Sequence, residues 1–291
     1  MLTNYHYRPP SRLFALIIGI NDYKSPSIQN LQGAVADADA MWDYLQNDLG
    51  VPSPQIRNLR NSDATKDAII GGIEAFSLND KIIRGDPILI YYAGHGHSAE
   101  TPKDWSGWNT VKIELLVPYD YPSLDGDPKC GITDRFFGAL LSELEKKKGN
   151  NIVRQTFILP EFIYQLTMWQ TVILDSCHSN SGTRKLESGD LTGLTPRNIG
   201  GFFKSSDSEA RGLVGRAIEA KSGFALDSHV LLAACHSTEK AFERTGRGLF
   251  TDALLKTLKF IGIDKLKYNT LLNQMPLLGH GWVQADWIVQ H

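Results

Sequence analysis

The chain has 291 residues, of which 42% are hydrophobic and 21% are charged, enough for one sizeable α/β core or two small domains. With 30 basic and 32 acidic residues, the net charge of −2 gives no indication of a nucleic-acid or anionic-membrane partner. No apolar run reaches the roughly 18 residues of a membrane helix, and the polar start, Met1–Ser11, is unlike a signal peptide. Three cysteines, Cys130, Cys177 and Cys235, form no disulfide framework and predict a reducing, cytoplasmic setting.

Apolar runs and helical periodicities alternate along the chain. In the first third of the chain they predict a strand over 13–20, a helix from about Ala34 to Asn47, a helix over 64–76 capped by Asp63, and a strand ending before His95. They then predict a polar loop over 98–111, a short strand over 113–117 and a helix over 134–147 that begins at Thr133-Asp134. The last predicted elements are strands over 171–175 and 229–234 and a helix over 249–259. This alternation favours an α/β fold with a mostly parallel sheet.

Two of the predicted strands end at reactive side chains. Residues 171–179 read Thr-Val-Ile-Leu-Asp-Ser-Cys-His-Ser, and residues 88–97 read Ile-Leu-Ile-Tyr-Tyr-Ala-Gly-His-Gly-His. Catalytic groups of parallel sheets gather beyond the carboxyl ends of the strands. Cys177 could therefore supply a nucleophilic thiolate and His95 its base.

These motifs resemble those of the caspase-like cysteine peptidases, most closely the metacaspases. The match covers Tyr91–Gly96 and Asp175–Ser179, with Asn180 standing where the family usually has glycine. Further likeness lies in Phe14–Tyr23, Leu31–Asp37 and Leu116–Asp120, so the resemblance spans roughly residues 13–260. It implies a caspase-like three-layer sandwich with a mostly parallel central sheet flanked by helices.

The resemblance also implies a function and its residues. His95 would act as general base and then acid, Cys177 as nucleophile, and the backbone N–H groups of Gly96 and Cys177 as oxyanion donors. Asp37 and Asp175 would line the pocket for the residue before the cut. The expected activity is a cysteine endopeptidase that cleaves proteins or peptides after Arg or Lys, since paired carboxylates attract a cationic side chain.

The expected organisation is one caspase-like domain in several parts: an N-terminal tail (1–12), a large-subunit-like part (13–184), a linker (185–227) and a small-subunit-like part (228–291). In the resembled family this linker is often cut during activation. Its basic residues would offer self-cleavage points, with an unprocessed surface loop as the alternative. They are Arg184 just before it, and Lys185, Arg197, Lys204, Arg211, Arg216 and Lys221.

Residues 153–170 interrupt an otherwise natural continuation from Gly149–Ile152 into Thr171. They correspond to 54 nucleotides, the length of a short intron kept in frame, and the codons can carry splice-like signals. A genuine insertion beside the active site is the alternative. A retained intron predicts an outlying loop with residues 152 and 171 close together.

Other functions remain open at this stage. A catalytically silent caspase-like interaction module could keep the fold. His97 and His178 lack a clear third zinc ligand, so no metal is predicted. Calcium dependence is common in the resembled family, and Asp120 and Asp134 match part of its acidic cluster, but the positive charge of Arg135 opposes it. No cofactor is expected.

Overall fold

A computed structural model describes residues 11–101, 112–123, 127–149, 170–176, 194–199, 229–234, 241–262, 271 and 275. Its main sheet has five strands, β1 (Phe14–Gly19), β2 (Ile56–Arg60), β3 (Ile88–Ala93), β7 (Gln170–Asp175) and β9 (His229–Ala233). They lie in the order β2-β1-β3-β7-β9 and are all paired in parallel. Four of them were predicted; β2 was missed because its sequence, Ile-Arg-Asn-Leu-Arg, is mostly polar.

Within the described ranges, four helices pack on the sheet: α1 (Ala34–Asp43), α2 (Lys66–Leu78), α3 (Asp134–Lys148) and α4 (Leu249–Ile261). Successive side chains of β1 point to opposite faces of the sheet and pack in two different hydrophobic clusters. Leu16 and Ile18 pack in a cluster with α2 and α3, whereas Ala15 and Ile17 pack in a cluster with α1 and α4. A sheet buried on both faces produces the continuous apolar strands of the sequence. The predicted three-layer α/β fold is confirmed.

The helix boundaries correct two details of the sequence reading. Helix α1 ends at Asp43 and continues as a π-helical turn, Tyr44–Asp48, instead of a regular helix to Asn47. Helix α2 is capped by Thr65, whose side chain accepts a hydrogen bond from the Ala68 N–H. Asp63 instead lies in the short 3₁₀ turn before it. Thr133 caps α3, as expected.

Two small sheets flank this core. β4 (Gly96–Glu100) pairs antiparallel with β5 (Lys112–Leu116), which pairs with β6 (Ile132–Thr133). The predicted loop over 98–111 is therefore wrong in its first residues, because antiparallel pairing tolerates their polar composition. The other sheet joins β8 (Leu194–Pro196), β10 (Phe242–Arg244) and β11 (Arg247–Gly248).

Several predictions fall on residues that the structure does not describe. They include Cys177, residues 1–10, most of the linker, and residues 153–169 of the proposed insertion. Gln170, the last residue of that segment, belongs to β7 and pairs with Ile88 and His229. Within the described ranges, no helix is long and apolar enough to cross a membrane.

Candidate active site

His95 follows the carboxyl end of β3, with Gly94 between them. Its backbone N–H donates to the hydroxyl of Tyr23, and the hydroxyl of Tyr92 lies 2.7 Å from the His95 carbonyl oxygen. Gly94 makes this tight turn possible, since a Cβ there would lie 2.7 Å from the Tyr92 oxygen. Two buried tyrosines therefore fix the backbone on which the imidazole stands.

The His95 ring has a defined tautomer. Nε2 lies 2.7 Å from the backbone oxygen of Gln29, and a carbonyl can only accept, so Nε2 carries the proton. Nδ1 is then a basic lone pair; it is buried and accepts no hydrogen bond from the described residues. Burial lowers the pKa of His95 to about 4. The imidazole is therefore neutral near pH 7, as a general base must be.

The end of β7 is the other half of the predicted dyad. The β3–β7 register pairs Ala93 with Asp175, and Gly94 N–H lies 3.4 Å from the Asp175 carbonyl oxygen. Both Asp175 and Ser176 are buried. Cys177, the next residue, lies outside the described part of the chain, so its nucleophilic role stays a prediction.

Asp37 and Asp175 converge on one arginine, Arg197, which is fully buried. Its Nη2 donates to Asp37 Oδ2 at 2.5 Å, and its Nη1 lies 2.9 Å from Asp175 Oδ2. Nη2 also lies 3.3 Å from Glu243 Oε2. The two carboxylates predicted from the sequence thus share a cation, and a third carboxylate joins them. We call Asp37, Asp175 and Glu243 the acidic pocket.

Backbone and side-chain donors hold the three carboxylates in place. Glu243 accepts hydrogen bonds from the backbone N–H groups of Gln32 and Gly33 at 2.7 and 3.0 Å. Asp37 accepts from the Gly248 N–H at 2.7 Å and from Arg247 Nε at 2.9 Å. Such donors stabilise buried carboxylates independently of Arg197.

Asp175 is held by the first turn of α4. Thr251 Oγ1 donates to Asp175 Oδ2 at 2.5 Å, and Tyr91 lies 2.6 Å from the same Thr251 hydroxyl. Because threonine has one hydroxyl proton, Tyr91 is the donor to Thr251. Asp175 therefore ends a buried chain of hydrogen bonds that runs from β3 through α4 to β7.

The mutual repulsion of the carboxylates shapes the electrostatics of the pocket. Burial and the nearby charge of Asp175 raise the pKa of Asp37 to about 6, against the opposing charge of Arg197. Burial alone would lower the pKa of Arg197, but Asp175 and Asp37 outweigh it and raise that pKa. The pocket therefore binds a guanidinium only in its charged form.

The backbone of Arg197 is bound as well as its side chain. Its carbonyl oxygen accepts from the Gly96 N–H at 3.1 Å, and its own N–H donates to the Ala241 carbonyl at 3.0 Å. The three residues before it, Leu194–Pro196, pair antiparallel with β10. An extended segment of this chain thus joins β10 to Gly96, the predicted oxyanion donor, which binds the Arg197 carbonyl oxygen.

A family model for the caspase domain of peptidase C14 matches residues 12–276. The chain belongs to the caspase domain family. This membership supports a cysteine-peptidase-like function. No curated protein matches the chain significantly.

Solved structures agree with the caspase fold. A Geobacter sulfurreducens protein of known crystal structure superimposes with a TM-score of 0.56 at 19% identity, covering 91% of this chain and 88% of its own. Caspase-1 from Spodoptera frugiperda superimposes with a TM-score of 0.52 at 14% identity, covering 91% of this chain and 75% of its own. At these identities the likeness concerns the fold.

Several residues of the caspase-domain site were missed by the sequence reading. Glu243 lies in β10 and Thr251 in the first turn of α4, and neither belongs to a recognisable motif. Gln29 contributes only its carbonyl, which any residue could supply. Arg197 was considered as a cleavage point, but no local pattern indicated that it would lie in the acidic pocket.

The two acids considered for calcium accept backbone hydrogen bonds. Asp120 Oδ1 accepts from the backbone N–H of Lys66 at 2.9 Å, and Asp134 Oδ1 accepts from that of Arg135 at 2.8 Å. Among the residues whose placement is described, no group of three or more His, Cys, Asp or Glu side chains could hold a metal ion.

Proposed function

We propose that this protein is a cysteine endopeptidase of metacaspase type that cleaves after Arg or Lys through His95 and Cys177. The observation that carries the proposal is an arginine enclosed by Asp37, Asp175 and Glu243 beside the His95 loop. A pocket that holds one arginine side chain with charge-assisted bonds can hold that of a substrate.

Charge decides the specificity. The acidic pocket carries three carboxylates, and Arg247 is its one remaining cation among the described neighbours once Arg197 leaves. A substrate Arg or Lys would restore the balance that Arg197 provides. A substrate Asp would add a fourth carboxylate to a buried site, a repulsion that excludes it.

The chemistry follows from the orientation of His95. Nδ1 accepts the thiol proton of Cys177, and the thiolate attacks the scissile carbonyl carbon to form a tetrahedral oxyanion. The Gly96 N–H, together with that of Cys177, stabilises this oxyanion, a contribution of about 3–4 kcal/mol per donor in other enzymes. The imidazolium then protonates the leaving amine, and water releases the acid product from the thioester.

The test compares peptides that differ only in Arg, Lys or Asp before the cut. We expect turnover with Arg and Lys and none with Asp, and loss of all turnover in Cys177→Ala. Asp175→Asn should lower kcat/KM for the Arg peptide by roughly tenfold to a hundredfold, the loss of one charge-assisted bond. Asp252→Asn, on the surface of α4, is the matched control.

The catalytically silent module has one observation in its favour, namely that Arg197 fills the acidic pocket completely. If the pocket never opens, substrates stay out. Alkylation of Cys177 by an iodoacetamide probe at neutral pH separates the two functions. Alkylation without turnover of any Arg or Lys peptide would favour the silent module. If the protein is an active enzyme, Cys177 of the Asp175→Asn variant should be alkylated as in wild type.

A further inference from the structure

The loop between β1 and α1, residues 20–33, contacts His95 at three points. The Gln29 carbonyl oxygen accepts from His95 Nε2 at 2.7 Å, and the Tyr23 hydroxyl accepts from the His95 backbone N–H at 2.8 Å. The rings of Tyr23 and His95 lie against each other with their centroids 5.0 Å apart. The shape of this loop therefore decides where the imidazole points.

The Gln29 carbonyl needs support from other parts of the loop. The Gln29 residue is exposed, so packing of its own side chain does not fix the peptide unit that binds His95. Residues 20–33 form neither a helix nor a strand. In such a loop, hydrogen bonds from asparagine and aspartate side chains take over the role of regular secondary structure.

Asn30, the residue after Gln29, ties the two arms of the loop together. Its amide oxygen accepts from the Tyr23 N–H at 3.3 Å, and its amide nitrogen donates to Asp22 Oδ1 at 3.2 Å. An asparagine amide carries both an acceptor and donors, so one side chain binds a backbone N–H and a carboxylate at once. The arm that carries Gln29 is thereby fastened to the arm that carries Tyr23.

Asn61 fastens the first arm to the main sheet. Asn61 follows β2 directly, and its amide oxygen accepts from the N–H groups of Asn21 and Asp22 at 2.8 and 3.2 Å. Its amide nitrogen donates to Asp22 Oδ2 at 2.9 Å, so Asn30 and Asn61 together hold both oxygens of Asp22. The φ of Asn61 is 43°, in the left-handed region that few side chains other than asparagine adopt readily and that recurs at functional sites.

We propose that Asn61 and Asn30, acting through Asp22, are positioning residues for the general base. They hold the Gln29 carbonyl against His95 Nε2 and so fix the direction of Nδ1. This inference rests on the proposed peptidase function, in which Nδ1 takes the thiol proton. Their hydrogen bonds reach His95 through the loop, so they act on the orientation of the imidazole.

A different asparagine holds the half of the loop that faces the acidic pocket. The Asn21 side chain donates to the Gln32 carbonyl at 3.3 Å and accepts from the Val35 N–H at 3.1 Å. The Gln32 N–H donates to Glu243 of the pocket. Loosening residues 22–30 should therefore leave the pocket in place. The predicted signature is a fall in kcat for Arg peptides with little change in KM.

Steady-state kinetics on an Arg peptide tests this signature with Asn61→Gly, Asn30→Ala and Asp22→Ala. Glycine adopts the left-handed conformation without strain, so Asn61→Gly removes the amide and keeps the backbone. Each variant should lower kcat by roughly tenfold to a hundredfold and change KM by less than about twofold. Asn79→Ala is the matched control and should follow wild type, because its side chain bonds to the Lys81 N–H at the other end of β3.

The double variant Asn61→Gly/Asn30→Ala tests whether the two residues act along one path. Because both hold Asp22, the loss in kcat should be smaller than the product of the two single losses. Losses that multiply would show independent action and would overturn the shared path through Asp22.

A second experiment reads the imidazole directly and needs no substrate. In wild type, the His95 Nε2 proton is bonded to Gln29 on a buried ring, so it should exchange slowly with water and give a proton NMR resonance. His95→Ala identifies that resonance by its loss. Asn61→Gly and Asn30→Ala should broaden or remove it while the backbone amide spectrum stays folded, and Asn79→Ala should retain it.

The outcomes separate this inference from the proposed function. A retained Nε2 proton resonance with wild-type kcat in Asn61→Gly and Asn30→Ala would overturn the positioning role and leave the peptidase standing. A rise in KM at unchanged kcat would also overturn it, because the pocket and not the base would then be affected. If wild type turns over no Arg or Lys peptide, the peptidase function fails, and the resonance alone decides the positioning role.

Discussion

At the scale of single residues, the absence of a side chain at Gly248 shapes the acidic pocket. A Cβ there would lie 2.5 Å from Asp37 Oδ2, 2.6 Å from Asp175 Oδ2 and 2.7 Å from Arg197 Nη1. The backbone conformation of Gly248, with φ −71° and ψ 131°, is open to any residue. The requirement for glycine is therefore one of space alone.

We predict that Gly248→Ala lowers kcat/KM for Arg peptides by roughly tenfold to a hundredfold, because overfilling a packed site costs about 1–3 kcal/mol. Steady-state kinetics on the Arg peptide measures this. Gly138→Ala, on an open stretch of α3 where a Cβ meets nothing within 4 Å, is the control. Undiminished turnover in Gly248→Ala would mean that the substrate arginine binds elsewhere.

The raised pKa of Asp37 predicts a pH dependence. Asp37 loses its charge as the pH falls through about 6, and the pocket then attracts arginine less. When Arg197 has left the pocket and no substrate has replaced it, the pKa of Asp37 should be higher still, since Arg197 no longer opposes the charge of Asp175. We expect kcat for Arg peptides to fall below about pH 6, and kcat/KM to fall already at a higher pH.

Two comparisons isolate this effect from other titrations. The pKa of His95 is about 4, so the base stays neutral over the whole window. The thiol of Cys177 is common to wild type and Asp37→Asn, so the ratio of their kcat/KM values reports Asp37. The kcat/KM of wild type divided by that of Asp37→Asn should fall towards lower pH. Asp43→Asn, on the exposed end of the same helix, should follow wild type; a pH-independent ratio for Asp37→Asn would contradict the prediction.

At the scale of elements, the strand ends at His95 and Asp175 could be predicted because parallel strands buried on both faces leave a strong local pattern. The acids Asp37 and Asp175 were suggested by the resemblance. The elements that complete the pocket could not be predicted. β8 has three residues and depends on pairing with β10, some fifty positions later in the chain. Such pairing is decided by tertiary contacts and not by local composition.

Helix α4 contributes to the site through its first turn. Thr251→Val keeps the shape of the side chain but removes the hydroxyl that joins Tyr91 to Asp175. A buried phenol and a buried carboxylate oxygen each lose a partner, so we expect a loss of about 1–3 kcal/mol in the free energy of unfolding. Turnover of Arg peptides should fall as well.

Urea unfolding and peptide kinetics check this prediction together. Thr251→Ser retains the hydroxyl and should stay close to wild type in both. When Thr251→Val is made in the Tyr91→Phe variant, the loss in the free energy of unfolding should be smaller, because only Asp175 then loses a hydrogen-bond donor. Equal costs in the two backgrounds would argue against the hydrogen-bond chain.

At the scale of the whole molecule, the sequence before the linker and the sequence after it pack together. β7 lies before the linker and pairs with β9 after it. The core cluster on the α1 face combines Ile17 and Met41 from the first part with Phe250 and Leu254 from the second. The two parts therefore share one interior.

We predict that a chain cut once in the linker by limited proteolysis migrates as one species in gel filtration and separates into two fragments only in denaturant. Extensive shared apolar surface stabilises such a pair. Size-exclusion chromatography of the cut enzyme, with and without urea, measures this. Fragments that separate in plain buffer while activity persists would contradict it.

Arg197 also competes with every external substrate from within the same molecule. Its side chain already occupies the acidic pocket, so a substrate with Arg or Lys before the cut has to displace it. The apparent KM for such a peptide then reflects the fraction of molecules in which Arg197 has left the pocket as well as the intrinsic affinity of the pocket for the peptide.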